Sequence, residues 1–329
     1  MRQGSNAAES LTETVSLAQA AESLGYKRYW VAEHHNTGGY AGTSPEILIG
    51  QIAANTTSIR VGSAGVMLTH YSALKVAEQF RILDAFFSNR IDLGVGRAPG
   101  SDQLTAAALA YPKRQSDVSH FPQQVLDLLG FIHGSIDQDH PFSQIHVQPG
   151  PLPASAPEIW LLGSSTYSAQ LAARLGLSFS FADFFGNTGD YGPTVAEIYR
   201  SEFKASRFLA KPRINVTFQT ICASTEVEAI RLGSSRNLNR VAWIMGLGHG
   251  LLPPDEATAF PLSSDAQQHL ESYKRGYCDG TPDRVHDWLV ERAELYQTKD
   301  IGVVTNCYSF KARVESYRLI AETFGLDAS

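Results

Sequence analysis

The sequence has few cysteines, no long hydrophobic run and no large excess of one charge, and each of these excludes a class of protein. Cys222, Cys278 and Cys307 lie far apart and form no C-x-x-C pair, so we expect neither a disulfide scaffold nor a structural zinc site. No stretch of about 18 apolar residues is present, as a membrane-spanning helix would require. The formal net charge is −6, without a long basic run, which argues against nucleic acid or a membrane surface as a partner.

The remaining composition is typical of a globular enzyme. Of 329 residues, 43% are hydrophobic, 18% are charged and 10% are aromatic, which is enough to bury a large core. The first residues contain no apolar signal-peptide core, and sparse, scattered cysteines suit a reducing compartment. We therefore expect a cytoplasmic protein, and we expect no metal in it.

Short hydrophobic segments typical of strands alternate with segments of helical periodicity along the chain. Strands are predicted at residues 28–33, 59–66, 91–96, 158–162, 178–182, 214–222 and 301–305. Helices are predicted at residues 7–24, 45–53, 73–87, 125–132, 168–175, 194–207, 282–296 and 311–324, and another opens near Thr225. Because each strand is followed by a helix, we expect parallel strands with helical crossovers, which is an α/β fold.

Two architectures fit such an alternation. A TIM (β/α)8 barrel has eight strands, whereas seven are predicted here and the chain opens with a helix, so a barrel requires that the first strand be missing from this chain. A doubly wound open sheet accommodates seven strands, but the G-x-G-x-x-G turn that usually follows its first strand does not occur. We favour the barrel.

We expect the barrel to be a single domain over residues 1–329 with two insertions. The first insertion, at about residues 98–122, is polar and aromatic. The second, at residues 246–281, is rich in Gly, Pro and Asp and is expected to be an irregular, lid-like segment.

Polar or glycine-rich groups lie toward the carboxyl ends of the first three predicted strands. Glu33 ends the first strand and is followed by His34 and His35, Ala64-Gly65 lies in the second strand, and Gly96 ends the third and is followed by Arg97. Barrel enzymes build their active sites at this end of the strands. These residues are therefore the first candidates for a functional site.

Four motifs resemble those of the bacterial luciferase-like flavin monooxygenases in order and spacing. They are Trp30–Asn36, Arg60–Leu68, Arg90–Arg97 and Trp160–Ser165. The resemblance extends over about residues 5 to 326 and includes the helix around Ala312–Arg318. It implies a flavin-dependent TIM barrel in which a strand would precede Met1.

The resemblance also implies a reaction in which reduced FMN and O2 oxidise a small organic substrate, with the reduced flavin made by a separate flavin reductase. Two alternatives stay open, because similar barrels use coenzyme F420 to transfer hydride without oxygen or bind flavin without catalysis. The Glu33-His34-His35 run favours FMN and an enzyme. Members of the family form homodimers through two helices, whose apolar residues here are Ile47, Leu48, Ile52, Val76, Phe80, Leu83, Phe86 and Phe87.

The resemblance assigns catalytic roles to two residues. His34 lies where the family places a histidine near the flavin ring, and a neutral imidazole can act as a general base. Glu33 is expected to reach the ring edge or to orient a histidine. The structural alternatives are a histidine bonded to backbone and a buried polar strut. Because side chains alternate along a strand, His34 and His35 are not expected to face the same way.

The remaining site residues are assigned to the cofactor. Ala64-Gly65 matches the position of a non-proline cis peptide beneath the flavin in relatives. Gly96 would let the ring lie close to the backbone, and Arg97 would bind phosphate unless it forms a surface ion pair. The loop residues placed at the phosphate are Gly163, Ser164, Ser165, Thr166 and Ser168. A helix N-terminus with hydroxyls suits an anion, although Ser and Thr are also ordinary N-caps.

Overall fold

The computed structural model describes residues 1–112, 117–151, 155–185, 191–242, 244–248 and 250–327. The chain divides into two compact units. The amino-side unit comprises Lys27–Asn36 and Gly42–Leu162, and the carboxyl-side unit comprises Met1–Tyr26, Thr37–Ala41 and Gly163–Ser329. Helix α1 (Ala7–Ser23) opens the chain, and the Asn6 side chain caps it by accepting a hydrogen bond from the Glu9 N–H, as the sequence predicts.

The amino-side unit is built on parallel strands that pair in chain order. The strands are β1 (Arg28–Val31), β2 (Arg60–Met67), β3 (Ile91–Gly96) and β4 (Glu158–Gly163). The helices between them are α2 (Pro45–Ala54), α3 (Ala73–Phe86), α4 (Gln103–Ala110) and α5 (Phe121–His133). Strand β3 is buried along its whole length, as expected for a parallel strand covered on both faces.

A buried ion cluster joins the amino ends of these strands. Asp92 is fully buried and accepts hydrogen bonds from Arg28 Nε at 3.1 Å, Arg60 Nε at 2.8 Å and Trp30 Nε1 at 2.8 Å. Glu158 adds a second carboxylate 3.3 Å from Arg28 Nη2. A buried charge requires such partners, so this cluster stabilises the end of the sheet opposite the candidate site.

The carboxyl-side unit is built around one long central strand. Its strands are β5 (Ser178–Ala182), β6 (Ile214–Cys222), β7 (Tyr277–Gly280) and β8 (Asp300–Val304). Strand β6 pairs in parallel with the other three. The helices are α6 (Thr166–Leu175), α7 (Tyr191–Glu202), α8 (Glu226–Val241), α9 (Pro254–Ala259), α10 (Ser264–Tyr273), α11 (Pro282–Leu295) and α12 (Phe310–Thr323).

Two sequence expectations about elements are wrong. The segment 246–281 is not irregular, because it contains α9, α10 and β7, and the described residues therefore contain eight strands rather than the seven predicted. Helix α7 ends at Glu202 rather than at Arg207. The insertion at 98–122 also contains a helix that was not predicted, α4, whose N-cap Asp102 accepts a hydrogen bond from the Thr105 N–H at 2.9 Å.

The three cysteines are free and buried. Burial raises the pKa of the Cys222 and Cys307 thiols to about 12, and it also raises the pKa of Cys278. None of the described helices is both long and apolar enough to cross a membrane.

Of the eight apolar residues expected at a dimer interface, four are buried, two are exposed, and Leu48 and Phe87 are half-buried. Ile52, Val76, Phe80 and Leu83 are buried within the amino-side unit. Ile47 and Phe86 are 67% and 77% exposed, and the nearby Ile82 is 45% exposed. The apolar residues that remain available for contact with another chain are thus fewer than the sequence suggested.

Candidate active site

The Glu33 carboxylate organises the residues that follow β1. Glu33 is buried, and its Oε1 accepts hydrogen bonds from Tyr71 OH at 2.6 Å and from His35 Nε2 at 2.8 Å. Its Oε2 accepts a hydrogen bond from the Met67 N–H at 2.9 Å, at the end of β2. Because an ionised carboxylate only accepts, His35 Nε2 carries the hydrogen. Glu33 therefore orients His35 and fixes its tautomer.

His34 lies beside this network and is half-buried. Burial lowers the pKa of the His34 imidazole, while a hydrogen bond to the Gly100 backbone and the Glu33 charge act in the opposite direction. The His35 backbone N–H also donates to the Gly100 carbonyl, at 3.2 Å. The lowered pKa means that His34 is neutral at pH 7 and able to accept a proton.

A third histidine, which the sequence analysis missed, completes the cluster. His70 lies in the turn after β2, and its ring is edge-on to His35 with 6.5 Å between the ring centroids. Its Nε2 lies 2.7 Å from the Pro99 carbonyl oxygen, so Nε2 is the donor and Nδ1 carries the lone pair. Nδ1 is buried without a hydrogen-bond partner among the described residues. A histidine just beyond a predicted strand was the signal that could have found it.

Tyr71 is the other residue of this cluster that the sequence analysis did not identify. Burial raises the pKa of the Tyr71 phenol, and its hydrogen bond to the Glu33 carboxylate raises it further. Tyr71 therefore stays protonated and donates to Glu33 throughout the physiological pH range.

The Ala64–Gly65 peptide bond is cis, as expected from the resemblance. The register between β2 and β3 shifts at this point. A Cβ on Gly65 would lie 2.7 Å from the Gly94 carbonyl oxygen, and a Cβ on Gly94 would lie 2.2 Å from the Ser63 carbonyl oxygen. The close approach of the two strands thus requires both glycines. Gly96, at the end of β3, has the Met67 side chain 3.1 Å from the position of its missing Cβ.

The residues expected at the phosphate belong to both units. Arg97 is half-buried after β3, in the amino-side unit, and Gly163 to Ser168 lie in the carboxyl-side unit. Ser165 is the N-cap of α6 but its side chain makes no capping hydrogen bond, and its Oγ lies 3.4 Å from Ser168 Oγ. Ser164 is half-buried beside it.

Tyr191, the first residue of α7, contacts this loop, and no motif in the sequence pointed to it. The Tyr191 hydroxyl accepts a hydrogen bond from the Thr166 N–H at 3.0 Å and lies 2.7 Å from Thr166 Oγ1. A Cβ on Gly163 would lie 2.3 Å from Ser168 Oγ, so glycine leaves room for that hydroxyl. Several hydroxyls thus lie at the N-terminus of α6, and the side chain of its N-cap residue makes no capping hydrogen bond. Such a group of donors suits a phosphate.

Asp183 lies directly after β5. It is buried, and its Oδ2 accepts hydrogen bonds from Arg292 Nη2 at 3.0 Å and Tyr296 OH at 2.9 Å. We interpret it as a structural ion pair. No group of three or more potential metal ligands occurs in the part of the chain that the structure describes.

Known proteins resemble this chain over nearly its whole length. The family model described as luciferase-like monooxygenase matches residues 1–299. A luciferase-like monooxygenase of Escherichia coli (strain K12) is 44% identical, over 96% of this chain and 92% of that protein. The N-acetyl-S-alkylcysteine monooxygenase of Bacillus subtilis (strain 168) is 34% identical, over 97% of this chain and 94% of that protein.

Among solved structures, that of apo-MsnO8 has a TM-score of 0.90 and 38% sequence identity, and the match covers 99% of this chain and 96% of that one. This likeness and the parallel strands of both units confirm the expected fold class, an α/β fold of the luciferase-like TIM-barrel type. The chain belongs to the luciferase-like monooxygenase family.

Proposed function

We propose that this protein is a flavin-dependent monooxygenase that uses reduced FMN and O2 to oxidise a small organic substrate. The observation that carries the proposal is the cluster after β1 and β2, in which Glu33 fixes His35 while His34 is held neutral beside it. Imidazoles with defined tautomers at the carboxyl ends of parallel strands are suited to proton transfer.

Two groups of residues are assigned to the cofactor, one to its phosphate and one to its ring. Arg97, Ser164, Ser165, Thr166 and Ser168 would hold the phosphate, and Gly163 leaves space for the Ser168 hydroxyl. The backbone at Ala64, Gly65 and Gly96 would lie against the ring. When bound, reduced FMN supplies the electrons with which O2 is activated.

The protein's own residues would move protons and exclude water. His34 would accept a proton at its neutral imidazole, and His35 and Glu33 would position it. Helix α4, which lies in the same unit as His34 and His35, would help to cover the reacting groups and keep water away.

We place the protein in the cytoplasm as a homodimer, supplied by a separate flavin reductase. The exposed Ile47, Ile82 and Phe86 on α2 and α3 support a contact between two copies.

The proposal is tested by titrating the protein with reduced FMN, oxidised FMN and F420 and then following oxygen consumption. We expect reduced FMN to bind most tightly and its oxidation by O2 to depend on the protein. Tighter binding of F420 with no oxygen chemistry would replace the proposal with hydride transfer. Flavin binding with no effect on the reaction with O2 would indicate a non-catalytic flavin-binding barrel.

The phosphate assignment is tested by Arg97→Ala. Riboflavin lacks the phosphate, so the substitution should weaken FMN binding by about 10-fold or more and leave riboflavin binding nearly unchanged. Flavin fluorescence titration measures both constants. Equal losses for the two ligands would remove Arg97 from the phosphate site. Arg174→Ala, on the exposed surface of α6, is the control and should change neither constant.

A further inference from the structure

Arg240 reaches from the last turn of α8 to the carboxyl ends of two strands. Its Nη1 donates to the Phe185 carbonyl at 2.8 Å, and its Nη2 donates to the Phe184 carbonyl at 3.2 Å and to Gln219 Oε1 at 2.5 Å. Phe184 and Phe185 lie in the turn directly after β5, and Gln219 lies in the carboxyl half of β6. The guanidinium is therefore at the end of the sheet where barrel enzymes bind their substrates.

The partners of Arg240 are all neutral. No carboxylate forms an ion pair with it in the part of the chain that the structure describes. Two other arginines of the same unit are paired differently, because Arg236 lies 2.6 Å from Asp279 and Arg292 lies 3.0 Å from Asp183. Burial, and then the neighbouring Arg236, lower the pKa of Arg240. A half-buried cation held only by neutral acceptors would be stabilised by an anion.

The surroundings of Arg240 suit an organic anion. Its guanidinium stacks over the Tyr273 ring, 4.3 Å from the ring centroid. Arg240 and Arg313 both act electrostatically on the Tyr40 phenol. Arg240 Nε makes no hydrogen bond with the described residues, so it keeps a donor for a ligand. Aromatic side chains at this position offer apolar surface to the rest of the ligand.

We propose that Arg240 binds a carboxylate group of the organic substrate at the carboxyl ends of β5 and β6. The inference rests on the proposed function only in identifying the bound acid as the molecule that is oxidised. Arginine suits this task because it stays charged, and its free Nε–H can donate a charge-assisted hydrogen bond to a carboxylate oxygen. The substrate class is then a small carboxylic acid whose hydrocarbon part packs against Tyr273 and the Phe184–Phe185 turn.

The test uses two probes of the same shape, 3-phenylpropanoate and its neutral amide, 3-phenylpropanamide. Their affinities for the flavin-free protein are measured by ligand-observed NMR titration. We expect the wild type to bind the carboxylate about 10-fold more tightly than the amide, the effect of a charge-assisted hydrogen bond. Arg240→Gln should remove that preference, and Arg240→Lys should keep part of it because the charge remains.

The matched control is Arg231→Gln. Arg231 lies on the same helix but is exposed and pairs with Glu228 and Asp255, so its substitution should leave the preference unchanged. Equal binding of the two probes by the wild type would overturn the proposal without any variant. So would a carboxylate preference that survives in a folded Arg240→Gln protein.

Two further measurements distinguish this proposal from the phosphate assignment and from the proposed function. The FMN-to-riboflavin affinity ratio should be the same in Arg240→Gln and in the wild type. A selective loss of FMN binding would assign Arg240 to the flavin phosphate and overturn the proposal. If the wild type binds the carboxylate selectively but does not promote oxidation of reduced FMN, the proposed function fails while the anion site stands.

Discussion

Glu33 holds three other residues of the candidate site through one carboxylate. Its two oxygens accept hydrogen bonds from Tyr71, His35 and the Met67 backbone. The motif containing Glu33 was evident from the sequence, but its partners were not. Tyr71 and Met67 lie more than thirty positions away, and only the pairing of β1 with β2 brings them together.

Replacing Glu33 with Gln should destabilise the protein and disorder His35. An amide offers only one acceptor oxygen, so a donor that now bonds the carboxylate would face an NH2 group. We expect a loss of about 1–3 kcal/mol in the free energy of unfolding, measured by urea denaturation. Glu291→Gln, on the exposed face of α11, should have no measurable effect. A Glu33→Gln protein as stable as the wild type would show that the network contributes little to folding.

The neutral state of His34 leads to a prediction about pH. Because burial lowers its pKa, the His34 imidazole should titrate below its ordinary value of about 6.5. Histidine-labelled NMR measures the midpoint, and the resonance that disappears in His34→Gln identifies the residue. The folded protein should also lose stability as the pH falls below about 6.5, because the unfolded chain then binds a proton that folded His34 does not. A midpoint above 6.5 would contradict the role of burial.

The roles of the two adjacent histidines can be separated by kinetics. A general base contributes roughly 10²- to 10⁴-fold to rate, so His34→Ala should slow the decay of protein-bound reduced FMN in the presence of O2 by that order. FMN affinity should change little. Stopped-flow absorbance compares the wild type with His34→Ala and His35→Ala. If only His35→Ala is impaired, His35 and not His34 is the base.

Among the elements, β2 and β3 approach each other closely at Ala64–Gly65. A Cβ at Gly94 would lie 2.2 Å from the Ser63 carbonyl oxygen, a distance that real Cβ atoms do not adopt. Gly94→Ala should therefore destabilise the protein by about 1–3 kcal/mol or more, as an overpacked core does. Thermal unfolding provides the measurement. Gly248→Ala is the control, since nothing lies within 4 Å of its Cβ position, and an equal loss in both variants would contradict the steric explanation.

Helices and strands with strong periodicity could be predicted, whereas elements inside the insertions could not. Strand β3 was predicted with its exact bounds because, apart from Asp92, it consists of apolar residues and glycines between Arg90 and Arg97. Strand β7 has only four residues, Tyr277–Gly280, and its burial alternates, so its sequence resembles a loop until it pairs with β6. Helix α9 is short and begins at Pro254, a residue that in sequence suggested a break.

At the scale of the whole molecule, the residues proposed for the phosphate belong to different units. Arg97 belongs to the amino-side unit, and Ser164, Ser165, Thr166 and Ser168 belong to the carboxyl-side unit. The sequence could associate them only through the family resemblance, because no spacing rule connects residues about seventy positions apart. Arg240 belongs to no recognisable sequence motif. It is a candidate for binding an anion only because the fold surrounds its guanidinium with neutral acceptors.

The proposed homodimer is tested by two substitutions on exposed apolar residues. Ile47→Glu combined with Phe86→Glu places charges on side chains that are 67% and 77% exposed, so folding should be retained while association is lost. Light scattering at micromolar concentration should give the mass of one chain instead of two. Val227→Glu with Ile230→Glu, on exposed positions of α8, should leave the mass unchanged. A wild-type protein that is already a monomer would contradict the dimer.

The burial of the thiols affects how readily an oxygenase is inactivated by the oxidants that it produces. An oxygenase that loses its oxygen intermediate before the substrate reacts releases hydrogen peroxide next to its own side chains. Peroxide attacks the thiolate far faster than the thiol. With a pKa of about 12 at Cys222 and Cys307, almost none of either residue is ionised at neutral pH. Under the proposed function, the same packing that fills the core would protect these two thiols from peroxide formed when no substrate is oxidised.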